Sequence, residues 1–187
     1  MSGLRVIGGE ARGRRLKMVP GDTTRPISDR VKESLFNIIG PSIQGGSFLD
    51  LFSGTGSVGI EALSRGCDRV WFVEAHPRAL ETIDDNLDLV GYEDRAKIER
   101  GDVFQFLRQS PPSGFDYVYV APPQYHGLWA ACLEMLDATP EWVNPDGWVV
   151  AQIDPREYEA LDLAELREFD LRTYGNTQLV FYERPGW

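Results

Sequence analysis

Between residues 47 and 153, five short strand-like runs alternate with segments of helical periodicity, and this alternation restricts the fold more than any other feature. Ser47–Leu51, Arg69–Glu74, Lys97–Arg100, Tyr117–Val120 and Trp148–Ile153 are the runs. Tyr117-Val118-Tyr119-Val120 is apolar throughout, as a parallel strand covered on both faces must be. Between the second and third runs, Leu80, Ile83, Leu87 and Val90 lie on one helical face that ends at Gly91. Further helices are predicted from Val31 to Gly40-Pro41, with Ser28 as cap, from the glycine-rich turn through Leu63 to Gly66, over Val103–Leu107, and through Leu128, Cys132 and Met135. Gly175-Asn176, between Phe169–Tyr174 and Gln178–Tyr182, marks a hairpin. The pattern predicts an α/β protein with a mostly parallel, doubly wound sheet closed by an antiparallel C-terminal hairpin.

Composition narrows the class. A 187-residue chain with 42 % hydrophobic residues fits one packed domain with a short extension. No apolar run reaches the roughly 20 residues of a membrane helix, and the N-terminus lacks the apolar stretch of a signal peptide. Cys67 and Cys132 have neither zinc nor disulfide-framework spacing, so both are expected to be reduced packing residues in a cytoplasmic protein. The total charge of −10 argues against a nucleic-acid partner until it is divided along the chain. Residues 1–32 carry eight bases and three acids, a net +5, which leaves −15 for the remainder. Phosphate attraction follows the local field, so a basic arm on an acidic body can hold RNA. Arg12, Arg14, Arg15, Lys17, Arg25 and Arg30 are the candidate phosphate contacts. Val6-Ile7-Gly8-Gly9 and the turns at Gly13 and Pro20-Gly21 predict short strands in this arm rather than a solvated tail.

Four segments carry chemistry. The first is Asp50-Leu51-Phe52-Ser53-Gly54-Thr55-Gly56-Ser57-Val58-Gly59, a strand followed by a turn in which the backbone is open to a ligand. It lacks the dinucleotide spacing. Asp50 would repel a pyrophosphate and attract an amine, so a phosphate-free sulfonium carrying an ammonium group suits the turn better than NAD. The second is Glu74, 24 residues beyond Asp50 at the end of the second strand, placed to accept ribose hydroxyls. In the third, Asp102 can accept from an adenine amine while Val103 packs on the ring; by itself Gly101-Asp102 is equally a turn with a helix cap. The fourth is Ala121-Pro122-Pro123-Gln124-Tyr125-His126, where two prolines must take the chain out of the sheet into a rigid loop. Pro122, Pro123, Gln124 and Tyr125 are the candidate catalytic residues, offering backbone carbonyls and an aromatic face to a base. His126 and His76 are expected to be surface or packing residues.

Taken together, these residues resemble the RsmD family, the bacterial 16S rRNA guanine-N2 methyltransferases, and more distantly the amino-methyltransferases with an Asp/Asn-Pro-Pro-aromatic signature. LRVIGGEARGRRLKMVPGDTTRPISDRVKESLFNII is the most specific part, and DLFSGTGSVGIEALSRG and YGNTQLVFYE also fit. The resemblance implies a Rossmann-like class I methyltransferase with a seven-stranded sheet, divided as a basic extension over 1–40 and a cofactor domain over 41–187. It implies S-adenosylmethionine held by Asp50, Phe52, Ser53, Gly54, Gly56, Glu74, Asp102 and Val103, no metal, and a monomer acting on ribosomal RNA or the small-subunit particle. One departure stands out: Ala121 replaces the family's motif acid and Gln124 its aromatic, with Tyr125 one position later. A charged acceptor on the amine stabilises the transition state selectively, so its loss should cost roughly 1.5–3 kcal/mol, about 10–100-fold in rate. Alignment of the reacting atoms is worth roughly 7–11 kcal/mol and survives. A slowed or rearranged enzyme is therefore expected. The alternatives are a non-catalytic or weakened RNA-binding assembly factor, motivated by Ala121, and an N6-adenine or DNA methyltransferase, because related Pro-Pro loops serve exocyclic amines generally.

Overall fold

A computed structural model describes residues 3–21 and 26–186, and the alternation of strands and helices is present throughout. In chain order the elements are α1 (Asp29–Ile39), β1 (Ser47–Leu51), α2 (Ser57–Ser64), β2 (Arg69–Glu74), α3 (Pro77–Val90), β3 (Ala96–Arg100), α4 (Val103–Leu107), β4 (Phe115–Val120), α5 (Leu128–Ala138), β5 (Val143–Ile153), β6 (Arg167–Tyr174) and β7 (Thr177–Glu183). The strands form a seven-stranded mixed sheet in the order β3-β2-β1-β4-β5-β7-β6. The chain comprises two compact units, Met1–Asp102 and Val103–Trp187.

In the first unit β1, β2 and β3 are parallel, with Asp50 beside Phe72 and Glu74 beside Arg100. All five residues of β1 and all eight of α2 are buried, the polar Ser47, Asp50, Ser57, Glu61 and Ser64 among them. The amphipathic helices are bounded by local signals. Ser28 Oγ accepts from Val31 N at 3.3 Å at the start of α1, and Val31, Leu35, Phe36 and Ile39 form its buried face. His76 caps α3, Pro77 occupies its first turn, and Gly91 ends it in the left-handed conformation.

The described part of the N-terminal arm departs from the expected short strands. It is a folded loop with one antiparallel bridge, Arg5 to Arg15, closed by Val6 N to Arg14 O at 2.9 Å and Leu16 N to Leu4 O at 2.8 Å. Leu4, Val6, Leu16 and Val19 are buried, and each such side chain contributes about 1.5–3 kcal/mol. Hydrophobic anchoring thus replaces ladder hydrogen bonds. Arg25 lies outside the described residues.

In the second unit β4 and β5 are parallel, whereas β7 runs antiparallel to both β5 and β6. The β6–β7 hairpin turns at Gly175-Asn176, as the sequence predicts. Strand β5 extends back to Val143, well before its predicted start. The Pro145-Asp146-Gly147 segment has the composition of a turn, and Asp146 adopts a positive φ of 64°. Pairing continues nonetheless through a register shift opposite Phe115 and Tyr117. Trp129, Cys132, Leu133 and Leu136 form the buried face of α5. The Trp142 ring packs tilted against Phe106, 4.8 Å between centroids, and donates its indole N–H to Leu107 O at 3.2 Å.

Candidate active site

In the first unit the turn between β1 and α2 is tied down by its own strand ends. Ser53 Oγ donates to Asp50 O at 2.6 Å, and Ser53 N donates to Val73 O at 3.1 Å. The serine thus joins the turn to β1 and β2. Phe52, Gly54 and Gly56 all have positive φ, at 59°, 58° and 79°. A Cβ at Gly54 would meet nothing within 4 Å, so its backbone faces open space rather than packed protein. The conformation exposes main chain to a ligand.

Two carboxylates flank this turn. Asp50 is 1 % exposed, and its Oδ2 accepts from Gly59 N at 3.1 Å. No cation pairs with it among the described residues. Burial holds its carboxyl well above the usual carboxylate range, and the nearby Glu74 adds to the rise. Glu74 Oε2 accepts from Gly54 N at 2.8 Å, and its Oε1 accepts from Ala75 N and His76 N, each at 3.1 Å. Oε1 is filled by two amides, but Oε2 accepts only from Gly54 N and keeps a second lone pair, so Glu74 can support the turn and still receive a hydroxyl. A buried acid lacking a cation, an open peptide turn and a hydroxyl acceptor fit S-adenosylmethionine, whose amino-acid end is cationic and whose ribose offers two hydroxyls. Asp102 is exposed and follows Gly101 at the end of this unit, whereas Val103 is buried and opens α4 of the second.

The arm is stitched to this unit by side chains that the sequence reading did not single out. Glu61, fully buried in α2, accepts from Ile7 N and Gly8 N at 2.9 Å each. The same carboxylate pairs with Lys32 at 3.3 Å and Arg65 at 2.9 Å. Burial pulls the Lys32 ammonium below the usual lysine range, with Glu61 opposing that pull. Ser64 Oγ accepts from Ala11 N and donates to Gly8 O. Asn86 accepts from Lys17 N at 2.7 Å and donates to both Lys17 O at 3.1 Å and Thr55 O at 2.9 Å. One amide therefore spans the arm and the cofactor turn.

Of the predicted phosphate contacts, Arg14 donates to Leu89 O and Lys17 pairs with Asp85 at 3.2 Å. Arg30 lies exposed in α1. Arg12 and Arg15 are exposed and carry no side-chain ion pair among the described residues.

In the second unit β4 ends at Val120, and the chain turns away through Ala121-Pro122-Pro123, as two prolines require. Pro122 is buried, while Pro123, Gln124, Tyr125 and His126 are exposed. Tyr125 has a positive φ of 68°. Its N–H donates to Glu157 Oε1 at 2.7 Å, and its hydroxyl bonds Asp154 and Arg156. Asp154 and Glu157 close a capping box around Pro155–Glu157, so the clamp is itself rigid. The sequence signal was present in Asp154-Pro-Arg-Glu157, an acid cap followed by proline. Its partner Tyr125 was not readable because it lies far away in the chain. Cys132 is buried and its thiol is pushed up by desolvation, which suits packing.

A profile of the family described as conserved hypothetical protein 95 matches residues 4–183. YlbH of Bacillus subtilis strain 168 is 38 % identical over 186 residues, covering 98 % of this chain and 100 % of the relative. The protein named ribosomal RNA small subunit methyltransferase D of Haemophilus influenzae is 33 % identical over 153 residues, covering 81 % of this chain and 79 % of the relative. Among solved structures, the yhhF protein of Escherichia coli superposes with a TM-score of 0.88 at 27 % identity, covering 100 % of both chains. Its fold is the Rossmann-like fold of the methyltransferases, with the mostly parallel sheet and terminal hairpin that the sequence predicts. The chain belongs to the conserved hypothetical protein 95 family, the RsmD family, to which the small-subunit rRNA methyltransferase D relatives also belong.

Proposed function

We propose that this chain transfers a methyl group from S-adenosylmethionine to the exocyclic N2 of a guanine in small-subunit ribosomal RNA. The carrying observation is the turn between β1 and α2: a buried Asp50 with no cation partner among the described residues, an open Gly54 peptide and Glu74 at the end of β2. That set favours a cationic, phosphate-free nucleoside. When bound, the cofactor supplies an electrophilic methyl carbon on its sulfonium sulfur. Asp50 would hold the ammonium group, Glu74 the ribose hydroxyls, and Asp102 and Val103 the adenine. Phe52, Ser53, Gly54 and Gly56 shape the turn.

For the base, Pro122, Pro123, Gln124 and Tyr125 supply a carbonyl, an amide oxygen and a ring. An acceptor on the guanine amine localises its lone pair and stabilises the positive charge that develops, which is selective transition-state binding. The arm supplies guanidiniums for RNA phosphates, Arg12 and Arg15 being the least committed. The name of the Haemophilus relative supports rRNA as the substrate. No helix among the described residues is long and apolar enough to cross a membrane. The reading places a monomer in the cytoplasm, acting on rRNA or on the assembling particle.

A second reading is favoured by one observation. Ala121 stands where the resemblance places the motif acid. On that reading the chain binds RNA with weakened or absent catalysis. Incubation with tritiated S-adenosylmethionine and 30S subunits from a strain lacking this enzyme, followed by nucleoside analysis, separates the two. Label in N2-methylguanosine supports the first reading. Label in N6-methyladenosine reassigns the base. Absence of label, with cofactor and RNA binding intact, supports the second reading.

A further inference from the structure

A cleft of about 420 Å³ opens between the arm, α1 and the end of α2. Its walls carry three guanidiniums, from Arg5, Arg12 and Arg65, with Glu33 and Asn37 of α1 beside them. Neither the glycine-rich turn nor the Pro-Pro loop contributes to it. The three cations are committed to different degrees. Arg5 Nε pairs with Asp29 at 2.9 Å. Arg12 is exposed and has no side-chain partner among the described residues.

Arg65 is the most constrained. Its Nε lies 2.9 Å from the buried Glu61, and its side chain is 18 % exposed. Its guanidinium carbon sits 5.3 Å from the Phe36 ring centroid. On the remaining side is Gly8, where a Cβ would lie 2.7 Å from Arg65 Nη2. Gly8 does not have a positive φ, and its missing Cβ leaves room for this guanidinium to approach. Only Nε is used by Glu61, which leaves the Nη donors to the cleft. A guanidinium fixed on three sides loses little freedom when it binds an anion.

We propose that this cleft holds one nucleotide of the rRNA strand, with its phosphate between Arg12 and the Nη groups of Arg65. The proposal rests on the rRNA reading above and adds a second, non-reacting contact to it. Guanidinium forks match phosphate geometry, and the volume is within the range that encloses small ligands. Asn37 and Glu33 offer acceptors for a ribose hydroxyl or a base amine. An acidic peptide could also use the arginines, and its peptide N–H groups the acceptors; the rRNA reading above and the fork match of guanidinium to phosphate favour RNA.

Filter binding to 16S rRNA and to 30S subunits across a salt series tests this. Arg12→Gln and Asn37→Asp alter only solvent-facing groups, so these two variants decide the question. Each is expected to weaken binding by roughly 10-fold at low salt, Arg12→Gln by removing a phosphate donor and Asn37→Asp by setting a negative charge beside the phosphate. Arg12→Gln should also flatten the slope of log K against log salt by about 0.7, the value of one lost phosphate on a single strand. Arg172→Gln removes an equal charge outside the cleft and should leave the slope unchanged. Arg65→Gln should weaken binding similarly, with a thermal melt to separate that loss from the release of Glu61. Wild-type affinity and slope in both Arg12→Gln and Asn37→Asp, beside a wild type that methylates rRNA, would overturn the cleft alone. A wild type that neither binds nor methylates rRNA overturns the functional reading and the cleft with it. A poly-glutamate peptide that loses binding in the two variants while rRNA does not would assign the cleft to a protein partner and overturn the proposal.

Discussion

The phenol of Tyr125 donates to Asp154 Oδ2 at 2.6 Å, and Arg156 Nη2 donates to the same phenol oxygen at 2.6 Å. The side-chain and backbone bonds from Arg156, with the phenol, hold the Asp154 carboxyl well below the usual carboxylate range. Tyr125 is thus positioned by its hydroxyl as well as available by its ring. Tyr125→Phe should therefore lower kcat severalfold with little change in KM for RNA, and Asp154→Asn should do the same. A ring acting by stacking alone would leave Tyr125→Phe at the wild-type rate. Single-turnover methyl transfer distinguishes these outcomes.

Ala121→Asp returns a carboxylate to the start of the Pro-Pro loop. If the acceptor is what the loop lacks, the chemical step should accelerate by about 10–100-fold. Initial rates at saturating cofactor and RNA check this. An unchanged rate would mean that Gln124 or a loop carbonyl already fills the role.

Asp50 carries a pH signature. Because burial raises its folded pKa, the folded state keeps this proton at pH values where the unfolded chain has already lost it. The stability this group contributes is therefore full below the ordinary carboxylate range and falls as pH rises toward the folded pKa. Asp50→Asn should remove this fall and raise the melting temperature of the cofactor-free protein at neutral pH. The same change should weaken S-adenosylmethionine by at least about 10-fold. In the wild type a cationic ligand favours the carboxylate, so affinity should increase with pH and binding should release a proton. Calorimetry in buffers of different ionisation enthalpy measures that release.

Asn86→Ala removes one side chain that bonds Lys17 at two atoms and Thr55 at a third. Stability should fall by about 1–3 kcal/mol, read from urea unfolding. Cofactor and RNA affinities should both decline, because the arm and the turn lose a shared partner. Loss of stability with both affinities intact would show that the link is structural only.

Lys32→Met leaves Glu61 buried with one cation fewer. Breaking such a pair costs about 3–5 kcal/mol. Lys32→Met with Glu61→Gln should recover part of that loss, since no buried carboxylate is then left short of a cation and the amide oxygen still accepts from the Ile7 or Gly8 amide; urea midpoints of the single and double variants decide.

Sequence alone revealed β1 and β2 to the residue, because each is a short strand-like run whose limits are marked by a neighbouring glycine, an acid or a turn, and it placed α4 near Val103–Leu107. The positions of Asp50 and Glu74 near strand ends, and of Gly54 in the turn between β1 and α2, were legible because local order alone places them. The early part of β5 was not, since Pro145 and Gly147 have turn chemistry and only the pairing of Val143 with Phe115 makes a strand of it. Nor was the clamp on Tyr125, whose partners lie 29 and 32 residues away. The charges of the arm were visible, but their availability was not. Lys17 and Arg14 are engaged by Asp85 and Leu89, and no local pattern announces either contact. Glu61 did leave a trace, as a single acid within an otherwise uncharged buried helix.

Glu61 also makes the arm inseparable from α2. Its carboxylate is satisfied by the Ile7 and Gly8 amides and by the two cations it pairs with. A recombinant that transplanted the glycine-rich turn and α2 into another chain would carry an acid whose amide partners had stayed behind. Homologous exchange that separates the arm from α2 should therefore be costly, and these two segments should be inherited as a block.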